Sequence, residues 1–231
     1  LMAESYFTGD IEIDNQILID ILNECKLYTG TVRKTMLKKG RGVFPTKNQI
    51  SATWGLTRRG QLYPTINFRE ESPYYGWYYT KSFSDNPHLE SVFKEYSDLH
   101  LPPRDKFFWS QVQINKNFFT PAHKDSANQG NSIIVGLGNY TGGELAINKN
   151  GKVKLNDIRN KALKFNGSKY THWTEPFKGE RWSLVFFTHH SRSELKRLIK
   201  KNDSEEDKHY KELEKKKTEA MKDILKNKDI K

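Results

Sequence analysis

A single cysteine, Cys25, stands among 231 residues, so the chain can form neither an internal disulfide nor a cysteine-rich zinc cluster. It is expected to rely on its core alone, in a reducing interior, with no disulfide-linked partner and with Cys25 as a core residue of a helix. Long apolar runs are missing too. No stretch approaches the roughly 20 consecutive apolar residues of a membrane span, and no segment recurs at the fixed period of a solenoid or propeller. Acidic residues are in short supply, 28 against 39 Lys and Arg, for a net charge of +11. Such an excess favours a polyanionic partner, because basic side chains displace counterions from phosphates; a solvating lysine-rich tail gives the same balance. Leu1 ahead of Met2 is expected to be foreign to the natural chain, no secretory leader pattern follows it, and an intracellular protein is expected.

The length suits one sizeable domain. We place it at 1–192, with a catalytic core at about 105–190 and a charged helical extension at 193–231, where Leu195, Leu198 and Ile199, and later Tyr210, Leu213, Met221, Ile224 and Leu225, recur among pairs such as Asp207/Lys211 and Glu212/Lys216. Near the start, Asp14 is placed to cap a helix carrying Ile17, Leu18, Ile21 and Leu22 at helical spacing. A second helix is expected over His88 to Leu99, stopped by Pro102-Pro103. Strand patterns follow at Trp109 to Asn117, Ser132 to Gly138, Glu144 to Ile147, Tyr170 to Trp173 and Arg181 to His189, with reversals at Asn139 to Gly143 and Asn166-Gly167. These read as hairpins of a closed antiparallel barrel.

Within that pattern His123 and Asp125 stand two apart, so an extended segment projects both to one side. His172 adds a second imidazole from elsewhere in the chain. Two imidazoles and one carboxylate make the facial set that holds non-haem Fe(II) and leaves positions open for O2 and a co-substrate. Alternation from Arg181 puts Arg181, Ser183, Val185, Phe187 and His189 on one strand face. An Arg among apolar positions is expensive unless its charge meets a buried anion, and a dicarboxylate supplies one through two parallel hydrogen bonds. On the Trp109 to Asn117 strand, Gln111, Gln113, Asn115 and Asn117 share a face that either lines a co-substrate cavity or meets solvent, opposite Val112 and Ile114.

The segments Gln113 to Asn117, Pro121 to Asp125, Gly130 to Ile134, Asn139 to Leu145 and His172 to Val185 resemble the double-stranded β-helix core of Fe(II)/2-oxoglutarate dioxygenases, and most of all the TET/JBP-like branch that oxidises the methyl group of 5-methylcytosine or thymine. The resemblance covers about a third of the chain. It implies an α+β fold with a jelly-roll core and flanking helices, with Fe(II), 2-oxoglutarate and O2 as cofactors. By position it implies His123, Asp125 and His172 as iron ligands, Arg181 as anchor of the 2-oxoglutarate C5 carboxylate with Ser183 beside it, and Asn115 and Gln113 in the co-substrate cavity. Asn128 matches a position that touches the substrate base, Phe187 a stacking residue and His189 a residue hydrogen-bonding the base edge. Animal relatives carry a cysteine-rich zinc-bound extension that one cysteine cannot build.

DNA is therefore the expected partner. A candidate surface for it runs from Lys38 to Tyr79, where Arg41, Arg58, Arg59 and Arg69 are interleaved with Trp54, Tyr63, Tyr74, Tyr75, Trp77, Tyr78 and Tyr79; edge strands with ordinary core aromatics would look the same. Two other functions fit parts of the pattern. A 2-oxoglutarate-dependent prolyl, lysyl or asparaginyl hydroxylase shares the triad, and a non-enzymatic nucleic-acid-binding module would leave it without a purpose.

Overall fold

The computed structural model describes residues 5–29, 48–57, 78–103, 106–125 and 127–188. His189, the 193–231 extension and most of the Lys38 to Tyr79 segment lie outside the described residues. The described chain runs α1 (Ile11–Asn23), β1 (Ile50–Thr57), β2 (Tyr78–Tyr79), α2 (Lys81–Asp85), α3 (Leu89–His100), β3 (Gln111–Lys116), β4 (Ser132–Leu137), β5 (Tyr140–Gly142), β6 (Leu145–Lys149), β7 (Lys152–Asn156), β8 (Leu163–Phe165), β9 (Thr171–Thr174), β10 (Phe177–Gly179) and β11 (Trp182–Phe187).

The period-two alternation of β1, β3 and β11 sets the layers. Trp54, Val112, Ile114, Leu184 and Phe186 all point to one side, where they form the main core with Leu18 and Leu22 of α1, Phe83 of α2, and Val92, Phe93 and Tyr96 of α3. The intervening residues Thr53, Gln113, Asn115, Ser183 and Val185 point to the other side and line a cavity. Helices thus cover one face of the sheet and leave the other for the site. Each large side chain removed from water on the helical face contributes about 1.5–3 kcal/mol.

Hydrogen bonding joins six strands in the order β2-β1-β3-β11-β4-β8, every pair antiparallel. A second sheet, β7-β6-β9, and a two-stranded pair, β10-β5, complete the set. The architecture is a mixture of helices and antiparallel sheets, as expected, but the hairpin reading needs correction. Strand β4 does not pair with β6: its two edges are taken by β11 and β8, and the chain crosses through Gly142 and Gly143, both at positive φ, to start the smaller sheet. The hairpin partner of β6 is β7, a strand absent from the sequence reading because nearly all of it is exposed.

Helix boundaries bear out one expectation and revise another. Helix α3 ends at His100, just before Pro102-Pro103. Helix α1 is capped by Asp10, whose carboxylate accepts from the N–H groups of Glu12 (2.9 Å) and Ile13 (3.2 Å). Asp14 lies inside the first turn with its carboxylate fully occupied, accepting from Thr8 N (2.7 Å), Thr8 Oγ1 (2.8 Å) and Gly9 N (2.9 Å) and meeting His100 Nε2 at 2.7 Å. Cys25 falls just past the last residue of α1 and packs half-buried against the core. Trp54 and Tyr79 are core residues as well: Trp54 meets Phe83 at 4.8 Å and Tyr79 stacks on Phe83 at 4.3 Å. Neither ring is open to a nucleic acid.

Candidate metal centre and its cavity

An isolated antiparallel bridge between His123 and His172, with reciprocal N–H to carbonyl bonds of 3.0 Å, brings the segment after Pro121 onto the edge of β9. Asp125 is held in the same way, its N–H donating to Gly167 O at 2.9 Å. The ligand-capable atoms of His123, Asp125 and His172 all lie within 4.8 Å of one another. His172 is buried, and its ring packs edge-on against Phe165 at 5.0 Å.

The two imidazoles are oriented alike. His123 Nδ1 lies 2.8 Å from Pro121 O and His172 Nδ1 lies 3.0 Å from Tyr170 O. A carbonyl only accepts, so each Nδ1 carries the proton and each Nε2 of the neutral ring keeps its lone pair. Both Nε2 atoms then face one carboxylate, His123 at 3.2 Å from Oδ1 and His172 at 3.4 Å from Oδ2. Lone pairs from three groups converging on one point repel unless a cation lies between them, and backbone carbonyls fixing the far nitrogen are the usual support of metal-binding histidines. The donor set suits a divalent transition ion. Burial raises the Asp125 pKa; in the absence of a metal only protons on the facing Nε2 atoms would bring it below the usual range, the part that a bound cation takes when both rings are neutral.

Packing around the triad is tight. A methyl group at Gly167 would sit 2.8 Å from Asp125 Oδ2 and 3.1 Å from His172 Cε1, so glycine is needed where the Asn166-Gly167 reversal passes the carboxylate. Asn128, buried, donates from Nδ2 to Asp125 Oδ2 (3.4 Å) and Ser132 Oγ (3.3 Å). It steadies the carboxylate from the side that faces the cavity.

That cavity, about 250 Å³, lies between the large sheet and β6-β9. Its walls include all three triad residues, together with Gln113, Asn115, Asn128, Ser183 and Phe187. A directed chain of hydrogen bonds crosses its floor. Thr53 Oγ1 donates to Gln113 Oε1 (2.7 Å), Gln113 Nε2 to Ser51 Oγ (3.1 Å), Ser51 Oγ to Asn115 Oδ1 (2.7 Å), and Asn115 Nδ2 to Ser183 Oγ (3.3 Å). Ser183 ends the chain as an acceptor, so its own O–H proton is left to donate.

Arg181 is nearly inaccessible, at 1% exposure, on the strand face it shares with Ser183. Its guanidinium does not line the cavity wall. Nε (3.2 Å) and Nη2 (3.0 Å) donate to Gly143 O, and the group lies over the rings of Tyr140 and Phe177 at 5.4 and 5.5 Å. Gly143 makes the close approach possible, since a methyl there would meet Arg181 Nε at 2.7 Å. Among the described residues no carboxylate lies within 4 Å of this cation. Burial lowers the Arg181 pKa, partly offset by Tyr140 and Glu144. Beside it the Tyr140 hydroxyl is buried, its pKa raised by burial against the opposing pull of Arg181. The sequence reading missed Tyr140; its only signal there was a place in the Asn139 to Leu145 segment.

No family model matches the sequence, and no curated protein matches it. Among solved structures the chain is similar to NgTET1 in complex with 5mC DNA, at 18% identity and TM-score 0.41, covering 69% of this chain and 66% of that one, slightly under two thirds. It is also similar to an oxidoreductase of the 2OG-Fe(II) oxygenase family from Burkholderia pseudomallei (17% identity, TM-score 0.38, 80% of this chain and 94% of that one). A prolyl-4-hydroxylase from Pseudomonas putida gives 10% identity and TM-score 0.38, over 82% of this chain and 91% of that one.

Proposed function

We propose that this chain is an Fe(II)- and 2-oxoglutarate-dependent dioxygenase with a jelly-roll core, formed by residues 1–192, that oxidises the 5-methyl group of a pyrimidine in DNA. The observation that carries the reading is the convergence of His123 Nε2, His172 Nε2 and the Asp125 carboxylate at the wall of a polar cavity, with both Nδ1 atoms committed to carbonyls. Bound there, iron together with 2-oxoglutarate and O2 supplies the chemistry that breaks a methyl C–H bond. Everything else falls to the chain.

Asp125 provides the one anionic ligand, and the two imidazoles provide neutral ones. Arg181 is assigned to the distal carboxylate of 2-oxoglutarate, with Ser183, whose hydroxyl proton is left to donate, beside it on the same strand face. Gln113 and Asn115 hold Ser183 in the orientation that leaves that proton available. At the cavity wall Phe187 offers a ring on which a base can stack, and Asn128, on the same wall, is assigned a contact to the base. His189, two residues after Phe187, is assigned the base edge. A methylated base in a duplex must leave the stack to reach such a site, at a cost of a few kcal/mol, which stacking on Phe187 offsets in part.

The test is incubation with Fe(II), 2-oxoglutarate and oligonucleotides carrying 5-methylcytosine or thymine, followed by mass spectrometry of the nucleosides. Oxidised pyrimidine and stoichiometric succinate are expected. Succinate formation with every oligonucleotide unchanged and a peptide hydroxylated would transfer the protein to the hydroxylases. In Arg181→Met, 2-oxoglutarate binding should weaken while iron binding survives, with Lys restoring it only partly because it lacks the planar fork.

A further inference from the structure

Residue Gln111 begins β3 and is fully buried, yet among the described residues neither its amide nitrogen nor its oxygen has a hydrogen-bond partner. Leaving both ends of a buried amide unsatisfied is unfavourable, and folded proteins rarely do so without a reason. Alternation puts Gln111 on the face of β3 that carries Gln113 and Asn115, the two residues of that strand that line the cavity. Those neighbours are bonded into the Thr53 to Ser183 chain. Gln111 is left out of it.

Gln111 does not line the cavity itself but stands beside a residue that does. Across the sheet Gln111 is opposite Phe187 on β11 and Gly55 on β1. Phe187 lines the cavity, and Gly55 brings no side chain that could compete for the amide. The backbone cannot swing away, since Ser110 N donates to Phe187 O (3.1 Å) and Leu56 N to Ser110 O (3.2 Å). An aromatic ring beside an unsatisfied donor-acceptor pair matches a flat ligand that presents a donor and an acceptor side by side. The edge of a pyrimidine is such a group: cytosine pairs N3 with N4–H, and thymine pairs N3–H with O4. A carboxamide meets either pattern by turning over.

We infer that Gln111 is a recognition residue for the hydrogen-bonding edge of the substrate base, at the Phe187 end of the cavity. The inference rests on the pyrimidine reading proposed above. A two-point contact of this kind is worth on the order of tenfold to a hundredfold in discrimination.

The decisive variant is Gln111→Leu, similar in volume and without polar atoms, with Gln111→Met as a second shape. Three quantities are read: melting temperature, 2-oxoglutarate turnover without substrate, and kcat/KM on 5-methylcytosine oligonucleotides. The melting temperature is expected to stay level or rise, because the unpaired amide is gone. Turnover without substrate should be unchanged, and kcat/KM should fall tenfold to a hundredfold. Wild-type kcat/KM in both variants would overturn the assignment while the pyrimidine reading stood. A lower melting temperature in both would overturn it differently, by showing that the amide serves the fold. If the wild-type protein oxidises no oligonucleotide, the pyrimidine reading fails and takes the assignment with it.

Discussion

Two histidine–carboxylate assemblies lie in this molecule, and they have opposite characters. At the helical end, Asp14 meets His100 Nε2 at 2.7 Å with side chains 0% and 6% exposed, and three donors from Thr8 and Gly9 fill the rest of its carboxylate. Around it Tyr96 donates to Asn15 Oδ1 (2.5 Å), and Asn15 Nδ2 to Asn160 Oδ1 (2.8 Å). At the cavity, Asp125 meets two imidazoles at longer distances, 3.2 and 3.4 Å, and is 25% exposed. The first assembly is saturated and closed, so it fastens the residues before α1 onto α3. The second has more lone pairs than protons and opens on a cavity. Burial of a His–Asp pair therefore says little about chemistry; the count of donors against acceptors, and access, separate a clasp from a metal site.

The largest effects should split along that line. Substituting His123, Asp125 or His172 by Ala is expected to remove Fe(II)-dependent succinate formation and leave the melting temperature close to wild type, since each deletes a ligand from a packed scaffold. Asp14→Ala should do the reverse. It strands His100 and three donors in the interior, a loss on the order of 3 kcal/mol, readable as a lower urea midpoint with activity per folded molecule retained. Unfolding of the triad variants, or unchanged stability in Asp14→Ala, would erase the distinction.

A smaller change tests how finely the open site is set. In Gly167→Ala the new methyl must push Asp125 Oδ2 or the His172 ring, and Fe(II) affinity is expected to drop about tenfold, the low end for groups that orient metal ligands. Titration with Fe(II) under anaerobic conditions reads it directly.

Acid separates the assemblies more gently. Burial raises the Asp14 pKa, but the hydrogen bonds from Thr8, His100 and Gly9 win and hold it below its ordinary value. The stability this carboxylate adds is thus fully present above its unfolded pKa, about 3.9, and is lost as pH falls through the lower folded value. Urea midpoints measured from pH 6 down to 3 should fall more steeply for wild type than for Asp14→Asn.

The smallest expected effect concerns Cys25, whose thiol burial and the nearby Glu24 push up to about 11. Its reaction with iodoacetamide at pH 8 should be slow in the folded protein and speed up in urea.

Much of the open site was legible because its chemistry is written in residue types and in a period of two. The His-x-Asp spacing fixes a common side for His123 and Asp125, and alternation along β11 puts Ser183, Val185 and Phe187 on one wall. The closed assembly was illegible for the same reason. Asp14 and His100 are 86 residues apart with no shared pattern, and Asp14 stands where a helix cap is also plausible; only the fold of the loop before α1 shows that Asp10 holds that role. Aromatic composition was equally ambiguous. Trp54 and Tyr79 sit in a basic, ring-rich stretch, and packing against Phe83 decides that they are core.

By itself, then, the order of residues determined the ligand types, the strand faces and the presence of a buried cation at Arg181, since these follow from side-chain chemistry and backbone periodicity. Tertiary structure alone decided that β4 pairs with β11 and β8, that Tyr140 joins Arg181, and that Gln111 is left without a hydrogen-bond partner among the described residues. The physical reason is that hydrogen-bond satisfaction and burial depend on what arrives from distant segments, and no local pattern records which donor will find which acceptor.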